Sequence, residues 1–101
     1  MPAPEAPIPV RIDDFRVIET GALAESRLPL GYVAPSDGRP PLKPVKNVAL
    51  CEADGVDGYY TLFCTDTWEY VTYQFNETRE YAKRNVVKEF GVDVTGWRVR
   101  A

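Results

Sequence analysis

Histidine is absent from the 101 residues. Its absence removes Ser-His and Cys-His nucleophilic catalysis, imidazole metal ligation and the side chain that ordinarily titrates near neutral pH. Cysteine is scarce: Cys51 and Cys64 are too few for a disulfide framework and lack the spacing of a zinc site. No apolar run approaches the ~18 residues of a membrane-spanning helix. The opening MPAPEAPIPV lacks the basic-then-apolar order of a secretory signal, so the cytoplasm is the expected location. Basic clusters are missing too. With 12 Lys and Arg against 15 Asp and Glu, a net charge of −3, nucleic acid is not an expected partner. Neither a membrane, a metal nor a cofactor is expected.

What remains is ordinary for a soluble chain: 45% hydrophobic and 27% charged residues, enough for a single core but not two. Residues 1–9 carry Pro2, Pro4, Pro7 and Pro9, which forbid a regular ladder and predict a flexible tail. Residues 10–101 then form the domain. In VRIDDFRVIE the alternation of Val10 and Ile12, interrupted at Asp13-Asp14 and resumed at Phe15 and Val17, predicts a short strand over 15–19 with a turn or bulge at the Asp pair. Thr20 is placed to cap a short helical turn through GALAESRL. Five prolines between Pro29 and Pro44, with the turn-like Pro35-Ser36-Asp37-Gly38, predict a long loop over 29–46, functional or strapped across a sheet face.

The second half is more regular. Residues 47–53 and 59–65 read as strands joined by the Asp- and Gly-rich 54–58, and Asp66-Thr67 turns the chain into a third strand over 68–75. Asn76 is a candidate N-cap, Glu77 and Glu80 suit the first helical turn, and Ala82, Val86 and Phe90 form an apolar stripe that ends at Gly91. Val92, Val94, Trp97 and Val99 suggest a closing extended segment. The expected fold is α+β: an antiparallel meander of three to five strands, one main helix over 77–90 packed on one face, and a Pro-rich N-terminal half.

Period-two alternation sorts the central side chains. Tyr60, Leu62, Cys64, Val71, Tyr73 and Phe75 share one face if the second hairpin turns at Asp66-Thr67, and Tyr59, Phe63, Trp68 and Tyr70 share the other. The helix, apolar on one side only, is expected on the more aliphatic Leu62/Val71 face. The aromatic face is then either covered by the Pro-rich strap or the N-terminal strand, or exposed as a binding surface. Tyr and Trp suit the second role, burying much area at small entropic cost. Tyr59, Phe63, Trp68 and Tyr70 are therefore the candidate binding residues. No catalytic residues are expected. Asp54, Asp57 and Asp66 fit turn chemistry better than a calcium loop, and Cys51 with Cys64 read as packed thiols, diagonal neighbours on adjacent strands.

Gly58, Tyr59, Tyr60, Phe63, Cys64, Asp66, Trp68, Thr72, Ala82, Glu89 and Phe90 carry a resemblance to a set of small uncharacterised bacterial proteins. It covers about a third of the chain, and one departure is that Thr72-Tyr73-Gln74-Phe75 stands where the group has a Thr-Asp-Thr followed by His. The resemblance implies a small α+β domain and attaches no activity to it. The expected function is that of a small non-enzymatic protein that binds another protein, in a regulatory or toxin-neutralising role. The alternative is a small-molecule or peptide binder using the aromatic sheet face. Oligomeric state stays open.

Overall fold

The computed structural model describes residues 8–99; the tail expected over 1–9 lies outside them except for Ile8 and Pro9. Six strands and one helix follow in the order β1 (Arg11–Ile12), β2 (Phe15–Arg27), β3 (Val45–Glu52), β4 (Tyr59–Cys64), β5 (Tyr70–Asn76), α1 (Arg79–Phe90) and β6 (Val94–Val99). The chain is α+β. β1 to β5 pair in sequence order as an antiparallel meander, and β6 returns to pair antiparallel with β2. Alternating directions along that path make β5 and β6 parallel, so α1 is a crossover connection spanning the sheet.

The Asp pair forms the β1–β2 turn, with Asp13 in the left-handed region at φ 53° and Ile12 opposite Phe15. Beyond it β2 departs from expectation. Instead of a short strand followed by a helical turn, it runs unbroken through GALAESR to Arg27. The cause is tertiary. β3 pairs along one edge of β2, and β6 pairs with Glu19 to Leu23 along the other. A strand with neighbours on both sides satisfies its backbone groups better than an isolated turn of helix. Gly21 permits the close approach of β6, since a Cβ there would lie 2.4 Å from Val94 Cγ1. Where pairing with β3 slips between Ala22 and Arg27, Lys46 Nζ donates to the carbonyls of Leu23 and Ala24.

The helix starts two residues later than its sequence suggests. Thr78 is the N-cap, its hydroxyl accepting from the Tyr81 amide at 3.1 Å, while Asn76 ends β5 and accepts from Asn85. Gly91 at φ 73° closes the helix as expected, its amide donating to Val87 O at 2.7 Å. Leu30, in the long connection from β2 to β3, docks on that same end, its amide donating to Glu89 O at 2.8 Å, and within the connection Tyr32 Oη accepts from the Leu42 amide.

Two apolar clusters lie on opposite faces of the sheet. Leu23, Val45, Val48 and Phe63 pack with Val86 and Phe90 of α1. Val17, Ala49, Cys51, Leu62 and Cys64 pack with Ile12 on the other face, flanked by Phe15, Tyr60 and Trp68. The helix therefore covers the Phe63 face, not the Leu62 face. Aliphatic content does not choose the face; connectivity does. A crossover between parallel strands is right-handed in nearly every fold, so the position of β6 beside β2 dictates the side on which α1 passes.

Candidate functional site

Handing the Phe63 face to the helix leaves the other face to be explained. The register pairs Tyr60 with Phe75 and Leu62 with Tyr73, which places Tyr60, Leu62, Tyr73 and Phe75 on one side. A bulge follows: Phe63 pairs with Thr72, but Cys64 pairs with Tyr70, leaving Val71 as the extra residue. The alternation therefore flips. Val71 turns toward the helix-side cluster, and Tyr70 joins Tyr73 and Phe75 on the open side.

That open side is aromatic. Tyr60 meets Phe15 at a ring-centroid distance of 4.7 Å, Phe75 at 5.1 Å and Tyr73 at 5.9 Å. The inner members are sheltered, but Tyr70, Tyr73 and Phe75 are exposed to 46%, 54% and 46%. Three large aromatics half in water on one short strand need a reason, since the fold itself does not bury them. The Tyr70 hydroxyl is held above its usual pKa, first by partial burial and then by the neighbouring Tyr73, Asp13 and Cys64. Asp13, in the β1–β2 turn, is thus near enough to Tyr70 to act on it through its charge.

The expected binding residues divide between the faces. Phe63 is buried under α1, in edge contact with Phe90 at 5.0 Å. Tyr59 is half-buried on that same face, with the Arg79 guanidinium over its ring at 5.5 Å. Trp68 packs against the Ile12 and Leu62 cluster, and only Tyr70 is exposed on the open face. The four do not share a surface. Tyr60, Tyr73 and Phe75, with Phe15, take their place. The alternation of β4 and β5 had already grouped the first three; the error lay in giving their face to the helix. Tyr70 needed the bulge, which no residue type announces.

Trp68 holds an unusual backbone. The turn from β4 to β5 runs through Asp66-Thr67, with the Trp68 amide donating to Thr65 O and the Thr65 amide to Glu69 O. Thr65 Oγ1 accepts from the Thr67 and Glu69 amides. This three-residue loop needs its last residue left-handed, a place usually given to glycine, and Trp68 occupies it at φ 66°. Packing of the indole on the core offsets the strain.

Other candidate chemistry disperses. Asp54 lies in the β3–β4 loop 3.5 Å from Arg16, and Asp57 lies in that loop too. Asp66 is beyond the far end of β4, about 20 Å away at the usual rise per residue. Among the described residues no group of three His, Cys, Asp or Glu side chains is placed to hold a metal ion. A shallow groove of about 330 Å³ joins Asp66 to Lys43, Thr65, Thr67 and Glu69, but no aromatic ring lines it. Cys51 and Cys64 share the open face yet are not diagonal neighbours: the Ala49–Leu62 rung lies between their own rungs. Burial pushes both thiols up to about 12, which suits packed, unreactive groups.

An α+β domain with a half-open aromatic sheet face is the class that this fold and site define. No family model matches the chain, and no curated protein or solved structure is significantly similar to it.

Proposed function

We propose that this chain is a small cytoplasmic, non-enzymatic protein that binds another protein, with its interface on the open face around β5. The supporting observation is the row of Tyr70, Tyr73 and Phe75 on one short strand, half exposed and backed by the ring of Tyr60. Half-exposed tyrosines over a packed apolar floor have the composition of an interface centre. A partner would be held by burial of those rings, in keeping with a regulatory or neutralising role. The small-molecule or peptide alternative is weaker: the groove at Asp66 is shallow and, unlike ligand pockets, is lined by no aromatic or large aliphatic side chain.

The test compares wild type with Tyr73→Ala and Phe75→Ala in quantitative affinity capture from cells, with Val33→Ala, in an exposed loop, as control. A protein enriched by wild type and control should be lost, by about tenfold or more, from both β5 variants if each ring contributes ~1.4 kcal/mol or more. Equal recovery from folded β5 variants removes the proposal.

A further inference from the structure

Among the described residues, the aromatic face borders a long strand edge with little protection. Among the described residues β5 pairs only with β4, so its outer row of backbone donors and acceptors faces outward. Its sequence, Tyr70-Val-Thr-Tyr-Gln-Phe-Asn76, holds no charge, no proline and no glycine. Natural edges are usually blunted by charge, proline, a bulge or shortness. The opposite side of the sheet uses such devices: β1 is two residues long with Arg11, and β6 carries Arg98 and Gly96 at φ 67°. On β5 only the bulge at Val71 intervenes, and it sits at one end.

A second apolar group flanks the same edge from the helix side. On α1, Lys83 reaches inward to Glu19 of β2, and Asn85 on the other flank bonds to Asn76 of β5. Tyr81, one turn before Asn85, lies on that second flank and is 55% exposed. The open edge thus has Tyr73 and Phe75 on one side and Tyr81 on the other.

We propose that the first partner of this surface is a second copy of the chain, joined by antiparallel pairing of β5 with β5 about a two-fold axis. The proposal rests on the reading of the β5 face as an interface. Self-complementarity favours a second copy: a two-fold places identical strands antiparallel, and a strand without charges meets itself without repulsion. Charge also selects the register. An axis through Tyr73 sets Glu69 against the partner's Glu77, like charges face to face. An axis through Gln74 sets Tyr73 against the partner's Phe75, twice over. The product is one continuous sheet with a doubled aromatic face and the two helices side by side beneath.

Sedimentation of the full chain across a concentration series tests this. Wild type should pass from the 11.4 kDa chain mass to twice that value as concentration rises. Tyr73→Lys and Phe75→Lys should each weaken the dimer at least about tenfold, because charge on an edge opposes pairing. Val33→Lys should not. Hydrogen exchange on wild type alone gives a second reading that no folding defect can confuse: β5 amides should slow with concentration. A chain of monomer mass at every concentration overturns the proposal, and so does a dimer that both lysine variants leave intact. Monomeric wild type whose capture of another protein still depends on Tyr73 and Phe75 overturns the dimer and leaves the binding surface standing. A dimer lost in both lysine variants, with capture unaffected, supports the dimer and removes that other reading.

Discussion

Lys83 Nζ donates to the carboxylate of Glu19 at 2.8 Å, tying the middle of α1 to the centre of β2. Glu19 is 4% exposed, the most deeply buried carboxylate among the described residues, and Arg79 adds a second cation at 3.7 Å. Lys83 also lies 5.0 Å from the Trp97 ring centroid, so one ammonium joins helix, β2 and β6. Lys83 is thus drawn inward to a carboxylate of the sheet.

Lys83→Met should lower unfolding stability by about 2 kcal/mol. Breaking a fully buried pair costs about 3–5 kcal/mol; here Lys83 keeps 36% side-chain exposure and Arg79 remains. Urea denaturation measures the loss. Arg84→Met, its charge removed from the same helix without a carboxylate partner in β2, should change stability by less than about 0.5 kcal/mol.

Gly21→Ala tests the crossing of β2 and β6. The added methyl would sit 2.4 Å from Val94 Cγ1 and 3.2 Å from two Trp97 carbons. Overpacking of this kind costs about 1–3 kcal/mol, and thermal unfolding should show it. Adding Val94→Ala to the same chain removes the nearest obstacle and should recover part of the loss, a coupling that a double-mutant cycle reads directly.

Comparison of Trp68→Gly with Trp68→Ala separates backbone from side chain. Both lose the indole's packing on the Ile12 and Leu62 cluster. Only glycine is free of the cost of φ 66°. The glycine variant should therefore be the more stable by about 1 kcal/mol in equilibrium unfolding. Equal stabilities would show that the turn imposes no strain.

Alkaline pH should weaken the fold through its two thiols. Each rises from 9.0 to about 12, Cys51 by burial and then by the charge of Cys64, Cys64 by burial. An unfolded thiol loses its proton near pH 9 while the folded one keeps it, so the unfolded state binds fewer protons. Stability from this source is complete below pH 9 and declines as pH rises toward 12. A thiol reagent at pH 8 should label neither cysteine in the native chain and both after denaturation; labelling of the folded chain would contradict their burial.

Much of the local structure was legible in the residues. Strands β3, β4 and β5, the turn at Asp66-Thr67, the Gly91 stop and the Ala82, Val86 and Phe90 stripe all follow from short-range rules, because each depends on neighbours along the chain. Period-two alternation also grouped Tyr60, Tyr73 and Phe75 correctly, because side-chain parity is a property of the strand itself. The candidate surface was therefore in the sequence, but under the wrong label.

Tertiary structure supplied the label. Which face α1 covers depends on where β6 pairs, a contact between Glu19 and Val99 that no local window contains. The length of β2 has the same origin, since two long-range partners extended a strand through residues whose propensities favoured a turn. Tyr70 was moved to the open face by a bulge set by pairing with β4. Composition and periodicity determined that this chain would hold two apolar sheet faces and one helix able to cover only one of them. Only the path of the chain through space decided that the helix would take Phe63 and leave Tyr73 and Phe75 in water.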